Sequence, residues 1–170
     1  MSEPTLDHIL SQRHEARREV VNVDEPMVKL VIFALGDAWF AFHGSGIREI
    51  LAEAVVHFVP GCPPSLEGVI NVRGDIESVI RLHDILRLPP AAGAPGSAIM
   101  LGRGGGIQSG IRADRIIDVV DLAHSAIQPP PATLAEHLRP LVLGVAHFQD
   151  RPVTVLDLDR LFADYASGLG

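Results

Sequence analysis

Among the residues that could do chemistry, the glycines within residues 102–110 (GRGGGIQSG) come first. Glycine-rich runs bind phosphate when their backbone N–H groups face the anion at the start of a helix, and a P-loop adds a Lys and a Ser or Thr there. This run contains no lysine, and Ile107 stands where a dinucleotide-binding loop would have its third glycine. Because apolar segments flank it, the run predicts a hairpin turn that uses glycine for positive φ angles.

Histidine, cysteine and carboxylate side chains give no stronger signal for a reaction. The eight histidines form no HxH or HExxH pattern, so we expect no metal site, and we expect His83 and His147 to be solvated. Cys62, the only cysteine, lies among prolines and predicts a tight turn. Asp157 and Asp159 flank the predicted start of the last helix, where acidic side chains favour the helix dipole and cap it. The sequence therefore predicts no catalytic residue, no cofactor and no enzyme.

A repeat organises the chain that would position any site. Residues 68–86 (GVINVRGDIESVIRLHDIL) recur without a gap as residues 144–162 (GVAHFQDRPVTVLDLDRLF). Only the apolar pattern and the leading glycines, Gly68 and Gly144, are shared. Alternating apolar positions determine which face of a strand is buried, so this pattern predicts two copies of one structural unit. A duplicated catalytic site would instead have kept its polar residues.

Composition excludes several classes of protein. The chain of 170 residues is 47% apolar and 21% charged, which is typical of a globular protein. Its net charge of −7 argues against a nucleic-acid binder or an anionic-membrane binder, because both need clustered Lys and Arg. No apolar run is long enough to span a bilayer, and the first residues lack the order of a secretion signal. We therefore expect a cytoplasmic protein without direct membrane insertion.

Period-two apolar patterns bounded by Gly, Pro and Asp predict many short strands. The predicted strands are 28–34, 38–42, 47–51, 55–59, 69–72, 76–82, 98–101, 107–113, 116–122, 141–148 and 153–158. Helical turns are predicted around residues 83–85, within residues 132–138 (ATLAEHL) and at 159–166. Units of this size with so many strands would expose unpaired edges unless they closed, so we expect a mainly β fold of two small barrels that fill their own interiors.

The expected domain organisation has three parts. Residues 1–26 form an N-terminal extension, for which a frayed tail, a helix over about residues 6–18 packed on the body and a partner-docking helix all stay open. Residues 27–170 form the main domain, with subdomains at approximately 38–98 and 99–158 and terminal segments that can cross between them. Residues 89–97 (PPAAGAPGS) predict a linker or crossover.

Residues 68–74 (GVINVRG), followed by VIRLHDIL, resemble the CheW-like family, whose members carry GV(I/T)N(L/V)RG before an apolar PVIDL-like strand. The resemblance covers nearly everything after residue 27, including residues 47–50 and the closing LDLDRLF. It implies two five-stranded, SH3-like barrels. It also implies a non-enzymatic adaptor of bacterial chemosensory arrays, which would join the cytoplasmic tips of chemoreceptors to the regulatory domain of the histidine kinase CheA, itself of CheW-like fold.

Two sets of contact residues are also implied by the resemblance. Receptor helices would lie in an apolar groove between the barrels and contact Ile47, Glu49, Ile50 and Arg73. The kinase would contact Gly68, Val69 and Asn71. Other interpretations of the same residues stay open: Ile47 and Ile50 as core residues, Arg73 as the ion-pair partner of a neighbouring carboxylate such as Asp75, and Gly68 as a glycine required by backbone geometry alone.

Departures from the family pattern bear on partner choice. Glu77 and Ser78 stand where the family has an apolar residue and a proline, and Arg81 stands where it commonly has an acid. If this strand borders the kinase interface, the departures predict an altered partner. The leading hypothesis is an adaptor that couples receptors to CheA. The alternative is a CheW-like module that binds only a kinase or another adaptor, in a specialised or non-flagellar chemosensory pathway.

Overall fold

The computed structural model describes residues 25–89 and 97–169, and within them the chain forms ten β-strands and two α-helices. The strands are β1 (Met27–Leu35), β2 (Ala38–His43), β3 (Ile47–Leu51), β4 (Leu66–Val72), β5 (Asp75–Arg81), β6 (Ala98–Gly104), β7 (Ile107–Ala113), β8 (Arg115–Ala123), β9 (Val142–Phe148) and β10 (Arg151–Leu156). The helices are α1 (Leu82–Leu86) and α2 (Leu158–Leu169). The predicted N-terminal extension lies outside the described residues, apart from its last two positions, as does most of the predicted linker.

The strands form two five-stranded sheets of the same design, which confirms the expected mainly β fold. One sheet has the order β8-β1-β2-β10-β9 and is called barrel A. The other has the order β3-β6-β7-β5-β4 and is called barrel B. In barrel A, the hairpin β1–β2 pairs antiparallel with β8 and parallel with β10. In barrel B, the hairpin β6–β7 pairs antiparallel with β3 and parallel with β5. The repeat seen in the sequence is therefore a repeat of strand order.

Each sheet is closed by one short backbone bridge between its edges. In barrel B, His57 and Val69 exchange both N–H···O hydrogen bonds, at 2.8 and 2.9 Å. In barrel A, Gln128 and Val145 do the same, both at 2.8 Å. The segment 55–59, predicted as a strand, contributes only this bridge. Closure pairs the backbone groups of edges that would otherwise be open to other chains.

The repeated glycines are explained by this closure. A Cβ atom on Gly68 would overlap the carbonyl oxygen of His57, and one on Gly144 would overlap the carbonyl oxygen of Gln128. The closing segment therefore crosses the edge strand at a distance that only glycine permits. The glycine that leads both repeats is thus a requirement of barrel closure.

The strand order differs from the sequential division into 38–98 and 99–158. Barrel B consists of residues 47–113, and barrel A combines residues 27–43 with 115–156. The chain crosses from A to B through the 3-10 turn Gly44–Gly46 and returns through Asp114. The physical reason is that the hairpin β6–β7 pairs with β3 and β5, while β1–β2 pairs with β8 and β10. Each repeat thus gives its hairpin to one barrel and its other three strands to the other.

Apolar side chains fill both barrels and the space between them. The interior of barrel A holds Leu30, Ile32, Ala34, Trp39, Ala41, Ala146, Val153 and Val155. The interior of barrel B holds Ile70, Val72, Val79, Ile99 and Leu101. A larger inter-barrel core contains side chains of both barrels and of the two helices, among them Phe33, Phe42, Met100, Ile111, Leu86 and Phe162. The two barrels therefore share one packed interface.

Two further local predictions were wrong. His83, expected to be solvated, is only 6% exposed, because its Nε2 lies 3.3 Å from Oδ2 of Asp114, which also accepts the Gly36 N–H at 2.6 Å. This polar cluster lies where the chain crosses between the barrels. Residues 132–138, expected to be helical, form separate turns that end in the 3-10 turn Arg139–Leu141. Leu134 and Leu138 of this segment pack against the inter-barrel core from these turns.

Candidate protein-docking surfaces

A β-bulge in β3 determines which way its side chains point. Ile47 pairs with Gly102 and Glu49 with Leu101, so Arg48 is the extra residue of the bulge. Without it, residues 47 and 50 would face opposite sides of the strand. With it, Ile47 packs against the inter-barrel core and Ile50 lies opposite Met100 of that core. The sequence Ile-Arg-Glu-Ile is thereby divided into an apolar face and a charged face.

Both isoleucines remain partly accessible on the apolar face. Ile47 is half-buried and Ile50 is exposed. In the second repeat, Ile116 occupies the position of Ile47 and likewise packs, half-buried, against the inter-barrel core. The structure therefore provides an accessible apolar strip along β3 next to the junction of the barrels.

Glu49, on the charged face, forms a bidentate ion pair with Arg73. Nη1 of Arg73 lies 2.9 Å from Oε1 and Nη2 lies 2.6 Å from Oε2 of Glu49. Because β3 and β4 are the two edges of the barrel B sheet, this pair joins the barrel across its seam. The structure thus brings together the two charged residues expected at the receptor contact, and the hydrogen-bonded partner of Arg73 is Glu49 rather than Asp75.

The hairpin turn between β4 and β5 holds Arg73 in place. Arg73 and Gly74 have φ angles of 51° and 93°, as in a two-residue turn with both central residues left-handed. Such a φ is unfavourable for arginine. Oδ1 of Asn71 accepts the N–H of Gly74 at 2.8 Å and so stabilises the turn. Asn71 therefore has a structural role in presenting Arg73.

The ion pair shifts the pKa values of Glu49 and Arg73 in the directions that keep both side chains charged. The hydrogen bonds from Arg73 hold the pKa of the Glu49 carboxyl below its ordinary value, and those to Glu49 raise the pKa of Arg73. The positive charge of Arg48 further lowers the pKa of Glu49. Since the pKa of Glu49 is depressed, the pair is intact at neutral pH and is lost only as the pH falls through that lowered pKa.

The outer face of β4 forms a second surface. Gly68 is buried beneath the closing bridge, whereas Val69 is half-buried and Asn71 is exposed. Asn71 lies opposite Ile76, which is 66% exposed. Of the three residues expected at the kinase contact, two therefore face outward and Gly68 does not.

Sequence analysis did not identify the apolar residues beside this face. Val55 and Phe58, on either side of the bridging residue His57, are 75% and 77% exposed. Their signal in the sequence was the apolar run at 55–59, but period-two reasoning cannot tell which members of a single-bridge segment point outward. Val55, Phe58, Val69, Asn71 and Ile76 are together called the β4 surface, and Ile47, Glu49, Ile50 and Arg73 the β3 surface.

The departures at residues 77 and 78 are matched by polar partners on β7. Nε2 of Gln108 donates to Oε1 of Glu77 at 2.6 Å, and Nη1 of Arg48 donates to Oε1 of Gln108 at 2.6 Å. One rung further along, the hydroxyls of Ser78 and Ser109 lie 2.7 Å apart. Glu77 thus belongs to a hydrogen-bonded chain that ends at Arg48.

This chain lines a polar cavity of about 170 Å³ at the mouth of barrel B. The lining residues are Arg48, Glu49, Val72, Arg73, Asp75, Glu77, Leu101 and Gln108. The cavity lies beside the β3 surface and shares Glu49 and Arg73 with it. Every polar side chain that lines it belongs to β3, β5, β7 or the turn before β5.

A larger cleft of about 320 Å³ lies where β2, β6, β9, β10 and α2 meet, and the glycine run packs beside it. Gly105 and Gly106 form the β6–β7 turn with φ angles of 56° and 79°, as predicted. The N–H of Gly105 donates to Oδ1 of Asp159 at 2.9 Å, so the run packs against the first turn of α2. Oδ1 of Asp157 accepts the N–H of Arg160 at 3.1 Å, which confirms its capping role.

Neither a metal site nor a membrane span is found among residues 25–89 and 97–169. No three His, Cys, Asp or Glu side chains in these ranges group around a point where an ion could bind. Neither α-helix described has the length and apolar character that a bilayer crossing requires. What the described residues do present is two surfaces on barrel B, one charged and apolar, the other mainly apolar.

Comparison with known proteins gives a consistent result over most of the chain. The family model for the CheW-like domain matches residues 29–166. The chemotaxis protein CheW of Treponema pallidum is 28% identical over 167 residues, covering 94% of this chain and 92% of that protein. A probable chemotaxis protein CheW of Rhizobium etli is 26% identical and covers 82% and 90%. The crystal structure of the scaffolding protein TtCheW from Thermoanaerobacter tengcongensis superposes with a TM-score of 0.72 at 25% identity, covering 79% and 92%.

Proposed function

This chain belongs to the CheW-like domain family of chemotaxis scaffold proteins, and from that premise we propose that it couples chemoreceptors to the histidine kinase CheA without catalysing a reaction. The observation that carries the proposal is the presence on barrel B of two surfaces of different composition, one charged and apolar and the other mainly apolar. The β3 surface would bind the receptor tip and the β4 surface the kinase. Such a protein would be recruited from the cytoplasm to chemoreceptor arrays.

The β3 surface has the chemistry that a docked helix requires. A receptor helix presents apolar side chains at i, i+3 and i+4, and the strip formed by Ile47 and Ile50 would accept them. The Arg73–Glu49 pair beside the strip is mostly solvent-exposed on the arginine side, with 73% of that side chain accessible. Charges at the rim of an apolar contact fix its register and its partner rather than supplying most of the affinity.

The β4 surface has the composition of a protein–protein contact. Val55, Phe58 and Ile76 are large apolar side chains that are at least 66% exposed. Aromatic and aliphatic anchors of this kind dominate the energy of small interfaces. Because the regulatory domain of CheA has a CheW-like fold by the family resemblance, we propose that a barrel of that domain packs on this face. Gly68 would act there only indirectly, by positioning Val69.

Kinase activity measured with and without receptor separates this proposal from its rival. We expect the chain to raise CheA activity when a receptor fragment is present and to leave it nearly unchanged when the receptor is omitted. Equal stimulation in both cases would overturn receptor coupling and favour a module that binds only a kinase. Binding of neither protein would contradict both proposals.

A Val69→Asp variant is expected to weaken binding to the CheA regulatory domain about three- to tenfold, because it places a desolvated charge at the centre of the β4 surface. Isothermal titration calorimetry measures the loss. Val145→Asp is the matched control, since Val145 is also half-buried and forms the equivalent closing bridge in barrel A. We expect Val145→Asp to carry the same cost in stability and to leave the affinity for the isolated regulatory domain within about twofold. Equal losses in the two variants would contradict a kinase contact at β4.

A further inference from the structure

The two barrels differ in the side chains that fill one end of their interior. In barrel A, Val153 and Trp39 are ladder neighbours of β10 and β2, at the positions that Glu77 and Gln108 occupy in β5 and β7. The Trp39 ring lies 6.3 Å from that of Phe148, and the guanidinium of Arg151 lies 4.2 Å above it. This end of barrel A is therefore filled by aromatic and aliphatic side chains.

At the corresponding end of barrel B, the polar cavity of about 170 Å³ takes the place of that plug. The β-bulge is present in both barrels, with Ile117 at the position of Arg48. An apolar residue at the bulge is thus compatible with the fold. Since barrel A closes this end with apolar side chains, the chain Glu77–Gln108–Arg48 is not required to close a barrel of this design.

The hydrogen-bonded chain Glu77–Gln108–Arg48 leaves the guanidinium of Arg48 available to a partner, beside the ion-paired Arg73. Both oxygens of Glu49 are engaged by Arg73, and Gln108 bridges Glu77 to a single nitrogen of Arg48. Arg48 is exposed, so its remaining N–H groups are open to solvent, while Glu77 and Gln108 are half-buried. The half-buried residues Glu77 and Gln108 therefore fix the position of the exposed Arg48 guanidinium at the edge of the β3 surface.

We infer that Arg48, held by Gln108 and Glu77, binds a carboxylate of the helix that docks on the β3 surface, and that these three residues help to select the partner. The inference rests on the proposed receptor contact and extends it. Arg48 is the contact residue, because its guanidinium offers a planar set of donors to a carboxylate. Gln108 and Glu77 are positioning residues, because they act only through Arg48.

Binding of a soluble chemoreceptor cytoplasmic fragment, measured by calorimetry at two salt concentrations, tests the inference. We expect Arg48→Glu to weaken binding about three- to tenfold at low salt and less at high salt. Gln108→Ala removes the support without changing the charge and should weaken binding about two- to threefold. Glu77→Gln keeps an oxygen that can accept from Gln108 and should bind within about twofold of the unmodified chain.

Arg160→Glu is the control for net charge, because it makes the same charge change on α2, outside the cavity lining. We expect it to leave receptor binding unchanged. Equal effects of Arg48→Glu and Arg160→Glu, or a Gln108→Ala variant that binds like the unmodified chain, would overturn this inference while receptor binding itself stands. Failure of the unmodified chain to bind any receptor fragment would overturn the proposed receptor contact, and the inference with it.

Discussion

Replacing Gly144 by alanine is expected to lower the free energy of unfolding by about 3 kcal/mol, because the added Cβ would overlap the carbonyl oxygen of Gln128 in the bridge that closes barrel A. Backbone atoms cannot move aside as a flexible side chain can, so the bridge must open or shift. Thermal unfolding followed by circular dichroism should show a decrease in Tm of about 6 to 12 °C. Gly68→Ala should cause a similar loss, since its Cβ would overlap the carbonyl oxygen of His57.

Gly102→Ala controls for the burial of a new methyl group. The three atoms nearest its Cβ would be side-chain atoms of Ile111, Leu158 and Phe162, at 3.1 Å or more and none of them backbone, so a decrease of about 1 kcal/mol is expected. A comparable loss at Gly102 would show that closure is not what the repeated glycines serve. Kinase binding by Gly68→Ala and Gly144→Ala, measured at a temperature where both variants are folded, then shows whether Gly68 contacts the kinase or serves only the backbone. If Gly68→Ala binds like Gly144→Ala, Gly68 serves the backbone alone.

Arg73→Glu is expected to weaken capture of a receptor fragment about tenfold or more. It removes a positive charge from the β3 surface and places a second carboxylate beside Glu49, where like charges repel. Titration calorimetry with the fragment measures the loss, and circular dichroism establishes that the variant is folded. A folded variant that binds like the unmodified chain would remove Arg73 from the interface.

The double variant Arg73→Glu, Glu49→Arg separates the two functions that the ion pair could serve. It restores a bidentate pair across the seam between β3 and β4 but reverses the charge order that a partner meets. We expect the free energy of unfolding to recover and receptor binding to stay weak, because the receptor would meet the positive and negative charges in exchanged positions. Recovery of both would mean that the pair only braces the barrel.

The local sequence pattern was enough to locate the ten described strands and to single out the two repeated glycines. Alternation of apolar residues is a property of each strand alone, so β1, β3, β7 and the final helix could be located to within a few residues. Gly68 and Gly144 stood out because nothing polar accompanied them in the repeat. Their partners His57 and Gln128 did not, since the closing segments are separated from the glycines by loops of different length.

Long-range pairing was the part that local pattern could not supply. A hairpin such as β6–β7 carries the same apolar alternation whichever barrel it joins, so the exchange of hairpins between the repeats leaves no signal within either one. From the sequence alone, His83 is a polar residue on a short helix and is expected to be solvated. Its burial depends on a hydrogen bond to Asp114, which lies 31 positions away in the sequence. The family resemblance placed Glu49 and Arg73 on one surface, but their ion pair depends on the barrel closing between its two edges.

The two chain crossings between the barrels, at Gly44–Gly46 and at Asp114, have a mechanical consequence. Domains joined by a single linker can rotate relative to each other, and the linker absorbs a force applied to one of them. Two tethers flanking a shared core oppose torsion as well as separation. A protein bound to barrel A and a protein bound to barrel B would therefore keep a fixed orientation to each other, and a rotation of one barrel would be transmitted to the other.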